Sequence, residues 1–371
     1  MGRGGKRPLA WAALAVGLGL ASANAQPAPQ SASPRPFSIT RADPALDALI
    51  APDAKLKTVA SGFGFADGPV WIRGRKGAPG YLLVSSIIGN VVYKLTPEGR
   101  VSVFLDKAGY SGSDFAHDGK LAFFARLHLI LIGPNCTGVD GQGRLIWCAG
   151  QDRALMRLEP DGARTVLADH FEAKRFNGPN DVAIAADGRV YFTDSDVGLR
   201  GGINGGLAQM PDQVWMWKDG KVSLVVSREQ LGEEPNGIAL SPDDRYLYLS
   251  AGTTSKTPRI MRYPVLADGS VGPGSLFTEG EGIGDGMKAD AAGDLWSTGP
   301  LTGTVRITSP AGKLLGVLHM PRPGDEEPAK LICASALAFG GDDARTLYVT
   351  ACDDVYAIPL RAPGRLEGPA R

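Results

Sequence analysis

Hydrophobic positions in this chain come in short runs of four to seven residues, separated by turns rich in Asp, Gly and Asn. Pairs of such runs recur around a tight turn. They read "DGPVWI…GYLLVSS", "NCTGVDGQGRLIWCAG", "NDVAIAADGRVYFTD", "NGIALSPDDRYLYLSAG", "DGMKADAAGDLWSTG" and "SALAFGGDDARTLYVTA". Two apolar runs around an Asp/Gly turn predict a β-hairpin. Each pair continues into a third run, such as "VVYKLTPEG" or "RIMRYPVLADG", and most into a fourth, such as "VSVFLD" or "KVSLVV". Six units of four short strands, at a period of roughly 40 to 50 residues, predict a six-bladed β-propeller with antiparallel blades. The sixth unit ends before its fourth strand, and a spare run, "KLKTVAS" at 55–61, precedes the first unit. That run is expected to complete the last blade and close the ring. No amphipathic helices alternate with the strands, which excludes a TIM barrel.

The expected domain spans 55–362, followed by a tail at 363–371. One unit is interrupted by "SDFAHDGKLAFFARLHLILI" at 113–132, a partly apolar insertion carrying His117 and His128, placed here as a lid over one face of the ring. The first 25 residues carry Arg3, Lys6 and Arg7, an apolar run from Leu9 to Leu20, and Ala23-Asn24-Ala25. That order is a basic region, a short hydrophobic region and a cleavage site, so a signal peptide and export to the periplasm or outside the cell are expected. The apolar run is short for a membrane span. A linker and N-terminal extension, opening on the Pro/Ser-rich "QPAPQSASPRP", fills 26–54. The 50 glycines and 27 prolines fit a turn-rich all-β chain. Lys+Arg and Asp+Glu both number 39, so no net charge attracts nucleic acid or an anionic membrane. Cys136 and Cys148 flank one hairpin turn, as Cys333 and Cys352 flank another. In an exported protein either pair can be bridged, with buried thiols as the alternative.

The repeat also places chemistry. The residue opening each innermost strand is Asp67, Asn135, Asn180, Asn236, Asp285 or Ser335. All six bear oxygen, and the propeller brings them to one end of the central channel. Packing alone would accept Ala, Val or Thr there. Carboxylates and amide carbonyls converging on an axis suit a hard divalent cation, Ca²⁺ before others. With no His or Cys among them, tetrahedral zinc is disfavoured. Asp181 follows Asn180 and points to the other side of its strand, where it is expected to hold a neighbouring strand or loop behind the ligands.

The motifs "FADGPVW", "GPNCTGVDGQGRL", "FNGPNDVAIAADGRVYFTD", "PNGIALSPDDRYLYLS" and "DGMKADAAGDLW" together resemble the senescence marker protein/gluconolactonase/luciferin-regenerating enzyme family, the bacterial gluconolactonases in particular. The resemblance covers about 55–360. It implies hydrolysis of a sugar lactone or related cyclic ester at a single divalent ion, usually calcium, with Zn²⁺, Mn²⁺ or Mg²⁺ as alternatives. The ligands it implies are Asp67, Asn180, Asn236 and Asp285. Asp285 doubles as the general base, Asn135 and Asn180 contact substrate, and His117 or His128 is the alternative base. It implies a small-molecule substrate and a monomer or weak dimer. Three positions depart from the family pattern. Asp67 stands where Glu is usual. Gly178 stands where some members carry Arg. "CAGQD", with Ala149 and Gly150, replaces a run that often holds Glu-His. The rival readings are a calcium-dependent ligand-binding propeller without catalysis, and a phosphotriesterase- or aryl-esterase-like activity at the same ion.

Overall fold

The computed structural model describes residues 35–75, 77–112, 131–201, 208–253, 255, 257–321 and 334–369. The segment 1–25, the body of the insertion at 113–130 with both of its histidines, and Cys333 lie outside them. Six antiparallel sheets stand around one axis. Their innermost strands are Ala66–Ile72, Pro134–Val139, Pro179–Ile184, Pro235–Leu240, Met287–Ala289 and Ala336–Gly340. The sixth blade has three strands from its own end of the chain. Lys57–Ser61 pairs with Asp354–Pro359 as its fourth, with Thr58 opposite Tyr356. The two ends of the domain are thus locked in one sheet, which is how the ring closes.

Blade five carries a fifth strand where the sequence pattern predicts no element. Ser38–Arg41 pairs with the outer strand Leu314–His319. The chain then makes a short helical turn, Leu46–Leu49. Leu46 and Ile50 are fully buried and pack in one cluster with Trp296, Leu315 and Leu318. The extension is therefore part of the sheet from Ser38 onward and of the core at Leu46, Leu49 and Ile50.

Apolar clusters lie between neighbouring blades. Trp147 and Leu145 of blade two pack with Val70 and Leu83 of blade one, and Trp215 and Phe192 of blade three pack with Ile146 of blade two. Cys136 and Cys148 form a disulfide across the first hairpin of blade two, with Cα atoms 5.1 Å apart. Cys352 is also disulfide-bonded.

Polar staples join the inner strands at the end where they begin. The Thr193 hydroxyl donates to the Asn236 carbonyl (2.7 Å), Thr298 to the Ser335 carbonyl (2.8 Å) and Ser335 to the Ala66 carbonyl (2.7 Å). Ser250 reaches the Gly284 carbonyl (3.1 Å), and Thr137 reaches the Gly68 carbonyl. Each staple crosses from one blade to its neighbour, and all five hydroxyl-bearing residues are almost fully buried. A buried hydroxyl without such a partner would be costly, so these bonds also fix the spacing of the ring.

Because Leu46 seats the extension in the core, Leu46→Ala is expected to destabilise the domain by about 2–5 kcal/mol. Urea unfolding measures this. A change below about 0.5 kcal/mol would mean the extension is peripheral.

Candidate active site

The inner strands do not begin as regular strands. The ladder to the second strand slips between Asp67 and Val70, Pro134 and Thr137, Pro179 and Val182, and Pro235 and Ile238. A bulge at the same point in four blades re-aims the side chains within it. Asp67, Asn135, Asn180 and Asn236 sit at or inside these slips. Asp285 lies just before its strand, where its N–H donates to the Thr298 carbonyl at 3.2 Å. All five are half-buried.

Glycine follows the site residue in three blades, and steric room explains it. A Cβ on Gly68 would lie 2.1 Å from the Asn135 carbonyl oxygen, and one on Gly237 would lie 2.1 Å from the Asp285 carbonyl oxygen. One on Gly286 would meet Ala336 at 2.8 Å. No side chain fits where backbones of neighbouring blades approach so closely. In blade three the corresponding residue is Asp181. Its carboxylate accepts the N–H of Val182 (2.7 Å) and, across the junction, the N–H of Ile238 (3.0 Å).

The electrostatics are dominated by unbalanced carboxylates. Burial raises the Asp67 pKa to about 7, opposed by the Gly68 N–H and reinforced by the negative charge of Asp181. Burial also pushes Asp285 well above the ordinary carboxylate range, and Asp67 and then Asp181 add to the rise. The Asn236 amide donates to Asp285 and works the other way. Having spent its amide N–H on Asp285, Asn236 leaves its own Oδ1 buried without a hydrogen-bond donor. An orphaned carbonyl oxygen beside two mutually repelling carboxylates is a donor set that fits a hard cation. Asn180 and Asn135 make no side-chain hydrogen bond among the described residues. Ser335 departs from the pattern. It is buried and its hydroxyl is committed to Ala66 and Thr350.

Two features near the mouth escaped the sequence pattern. Asp194 is fully buried and accepts the N–H groups of Asn177 (2.9 Å) and Gly178 (2.8 Å). It thereby shapes the loop that delivers Asn180. Burial raises its pKa to about 7, although both N–H groups oppose the rise. Asp196, Asp212 and Glu234 bring three carboxylates within 4.8 Å of one another between blades three and four. Much of that cluster is tied internally. Asp212 accepts from the Asn177 amide and the Asp196 N–H, and Glu234 accepts from Ser195.

Asp67 and Asp194 keep their protons to about pH 7 in the folded protein, but ionise near pH 4 once unfolded. The native state therefore binds more protons between these values, and stability falls as pH rises through that window. In chelator, the Tm is expected to be lower at pH 8 than at pH 5. A flat or rising Tm would show that these carboxylates are already compensated.

Comparison with known proteins identifies the family and the fold. Residues 65–353 match the SMP-30/Gluconolactonase/LRE-like region. A gluconolactonase of Zymomonas mobilis is 30% identical over 343 residues, covering 88% of this chain and 87% of that protein. Among solved structures, a gluconolactonase of Xanthomonas campestris is 28% identical, covers 89% of this chain and 96% of its own, and superposes with a TM-score of 0.69. A luciferin-regenerating enzyme shares the fold at 16% identity, over 85% of this chain and all of that one, with a TM-score of 0.60.

Proposed function

The chain belongs to the SMP-30/gluconolactonase/LRE-like family, and on that premise we propose that it is a lactonase that opens a sugar lactone or closely related cyclic ester at a divalent cation held by Asp67, Asn180, Asn236 and Asp285. The observation that carries the metal reading is the buried, unpartnered Oδ1 of Asn236 beside the Asp67 and Asp285 carboxylates. An all-oxygen donor set of two carboxylates and two amides favours Ca²⁺, with Mg²⁺ or Mn²⁺ ahead of Zn²⁺.

When bound, the cation supplies Lewis-acid polarisation of the lactone carbonyl and offsets the charge that develops on its oxygen. The protein's own groups do the rest. Asn135 and Asn180 orient the lactone through hydroxyl contacts at the mouth. Asp285 takes the proton of the attacking water. A carboxylate beside a dication is a weak base, and it suffices because a sugar lactone is an activated ester. Asn236 keeps Asp285 in position through its amide hydrogen bond. Asp181 contributes behind the site by tying the inner strands of blades three and four together. On the same reading, residues 1–25 direct export, and the mature enzyme acts in the periplasm or outside the cell.

The decisive experiment follows acid release from a panel of aldonolactones, with Ca²⁺ and after chelation. Chelation is expected to abolish turnover and Ca²⁺ to restore it. Asp285→Ala is expected to lower kcat/KM by at least about 10²-fold. A mutant as active as the wild type would remove Asp285 from the reaction. Calcium-dependent thermal stabilisation without turnover on any lactone would favour a binding propeller over an enzyme.

A further inference from the structure

The site uses one end of the channel. The other end holds half-buried charges that the reaction does not use. After the last strand, Asp354–Pro359, the chain crosses the far ends of the inner strands. Its Gly364 N–H donates to Ala344 of blade six (2.8 Å). Arg365 reaches the Ser241 carbonyl (3.0 Å) and Asp244 (2.9 Å) of blade four. Glu367 accepts the Val139 N–H of blade two (3.0 Å) and pairs with Lys288 of blade five at 2.8 Å. Arg73 of blade one donates to the carbonyls of Leu366 (3.1 Å) and Glu367 (3.3 Å). The segment 364–367 thus touches five of the six blades. Together with Lys288 and the ends of the inner strands it encloses a cavity of about 240 Å³.

Lys288 is three residues beyond Asp285 on the same blade, and it lies between the two ends. It meets Glu367. The charges of Lys288 and Asp181 also attract one another, and the negative charge of Asp181 acts in turn on Asp67 and Asp285. Burial works against the Lys288 charge, but Glu367 and Asp181 outweigh it and hold the ammonium form. The three acidic groups, Lys288 and the tail are therefore coupled through their charges, with the Lys288–Glu367 pair as the contact at the far end.

We propose that Lys288, clamped by Glu367 of the C-terminal segment, is the internal counter-cation of the site and a positioning residue that sets how tightly the site holds its divalent cation. The inference rests on the metal reading above. Three carboxylates converging without any cation would repel one another in a poorly solvated channel. Lys288 offsets part of that repulsion from behind the ligands without occupying the ligand position. A divalent ion entering at the mouth is attracted by the carboxylates and repelled by Lys288, and Glu367 damps that repulsion. The tail is in this sense part of the site, although it lies at the opposite face of the ring.

Charge logic makes the two partners act with opposite sign, which a merely structural clamp would not. The test is calorimetric titration of CaCl₂ into the purified, chelator-stripped protein. Lys288→Met is expected to tighten Ca²⁺ binding by about tenfold, and Glu367→Gln to weaken it several-fold, on the order of threefold. The double variant, with the net charge restored, is expected to return to within about threefold of wild type. Glu367 is at the accessible end of the pair, so Glu367→Gln and the charge-preserving Glu367→Asp keep the test open if Lys288→Met fails to fold. Single variants that leave affinity unchanged, or shift it in the same direction, overturn the inference while leaving the metal site intact. A wild-type protein that binds no Ca²⁺ overturns both this inference and the metal reading. Lactone turnover enters neither outcome.

Discussion

Six strands can converge on one axis only if each backbone can touch the next, and this close approach governs the rest of the molecule. At Gly68 and Gly237 the neighbouring carbonyl oxygen is where a Cβ would be. Hydroxyls of Thr137, Thr193, Ser250, Thr298 and Ser335 bond carbonyls across the same junctions. Packing that tight leaves room only for short side chains at the channel end, and the oxygen atoms they carry there are a separate, chemical choice. The site is a consequence of the ring's geometry, filled with oxygen atoms.

That geometry has an electrostatic consequence. Side chains held on opposite walls of a narrow channel cannot move apart to relieve repulsion. Asp67, Asp181 and Asp285 each have a raised pKa, with burial as the first cause and a neighbouring carboxylate contributing at Asp67 and Asp285. In a stability-optimised core such groups would be replaced or paired. Unfavourable charge retained at a site that lies within a rigid frame is what a binding centre requires, because the strain is relieved only when the ligand arrives. The frame supplies the rigidity through the fourth strand of blade six, the fifth strand of blade five and the disulfide of blade two.

Much of this was legible in the chain because the repeat repeats both pattern and chemistry. Short apolar runs paired around Asp/Gly turns specify hairpins, and six of them specify a ring. The closing strand at 57–61 was legible because the last unit is one strand short. Other features were not. "SITR" is too short and too polar to distinguish from linker, and it becomes a strand only because the edge of blade five is there to receive it. Asn-Gly and Asp-Gly read locally as turns, whereas at 236–237 and 285–286 they are a candidate site residue followed by a steric necessity. Ser335 has the right chemistry at the right position, but its hydroxyl is taken by Ala66. No pattern marks Glu367, since its meaning depends on Lys288, far away in the chain.

The two departures that most affect the mouth have a common physical setting. A Cβ on Gly178 would lie 3.3 Å from both the Gly150 and Ser195 carbonyl oxygens, and one on Gly150 would lie 3.6 Å from the Asn135 amide nitrogen. Gly150 and Gly178 are therefore neighbours, and both flank an asparagine of the mouth. An arginine at 178 would have to emerge between two carbonyls in tighter contact than most Cβ atoms tolerate, so the loss of charge there goes with the shape of the loop held by Asp194. This stretch of wall presents amides and backbone carbonyls, and no formal charge comes from Asn135, Gly150, Gly178 or Asn180. Such a surface exchanges hydrogen bonds readily with hydroxyl groups, and it gives no compensation to a carboxylate or phosphate leaving water. On the proposed function, this wall would discriminate by hydroxyl placement and shape, and any preference for a charged lactone would have to come from side chains elsewhere at the mouth.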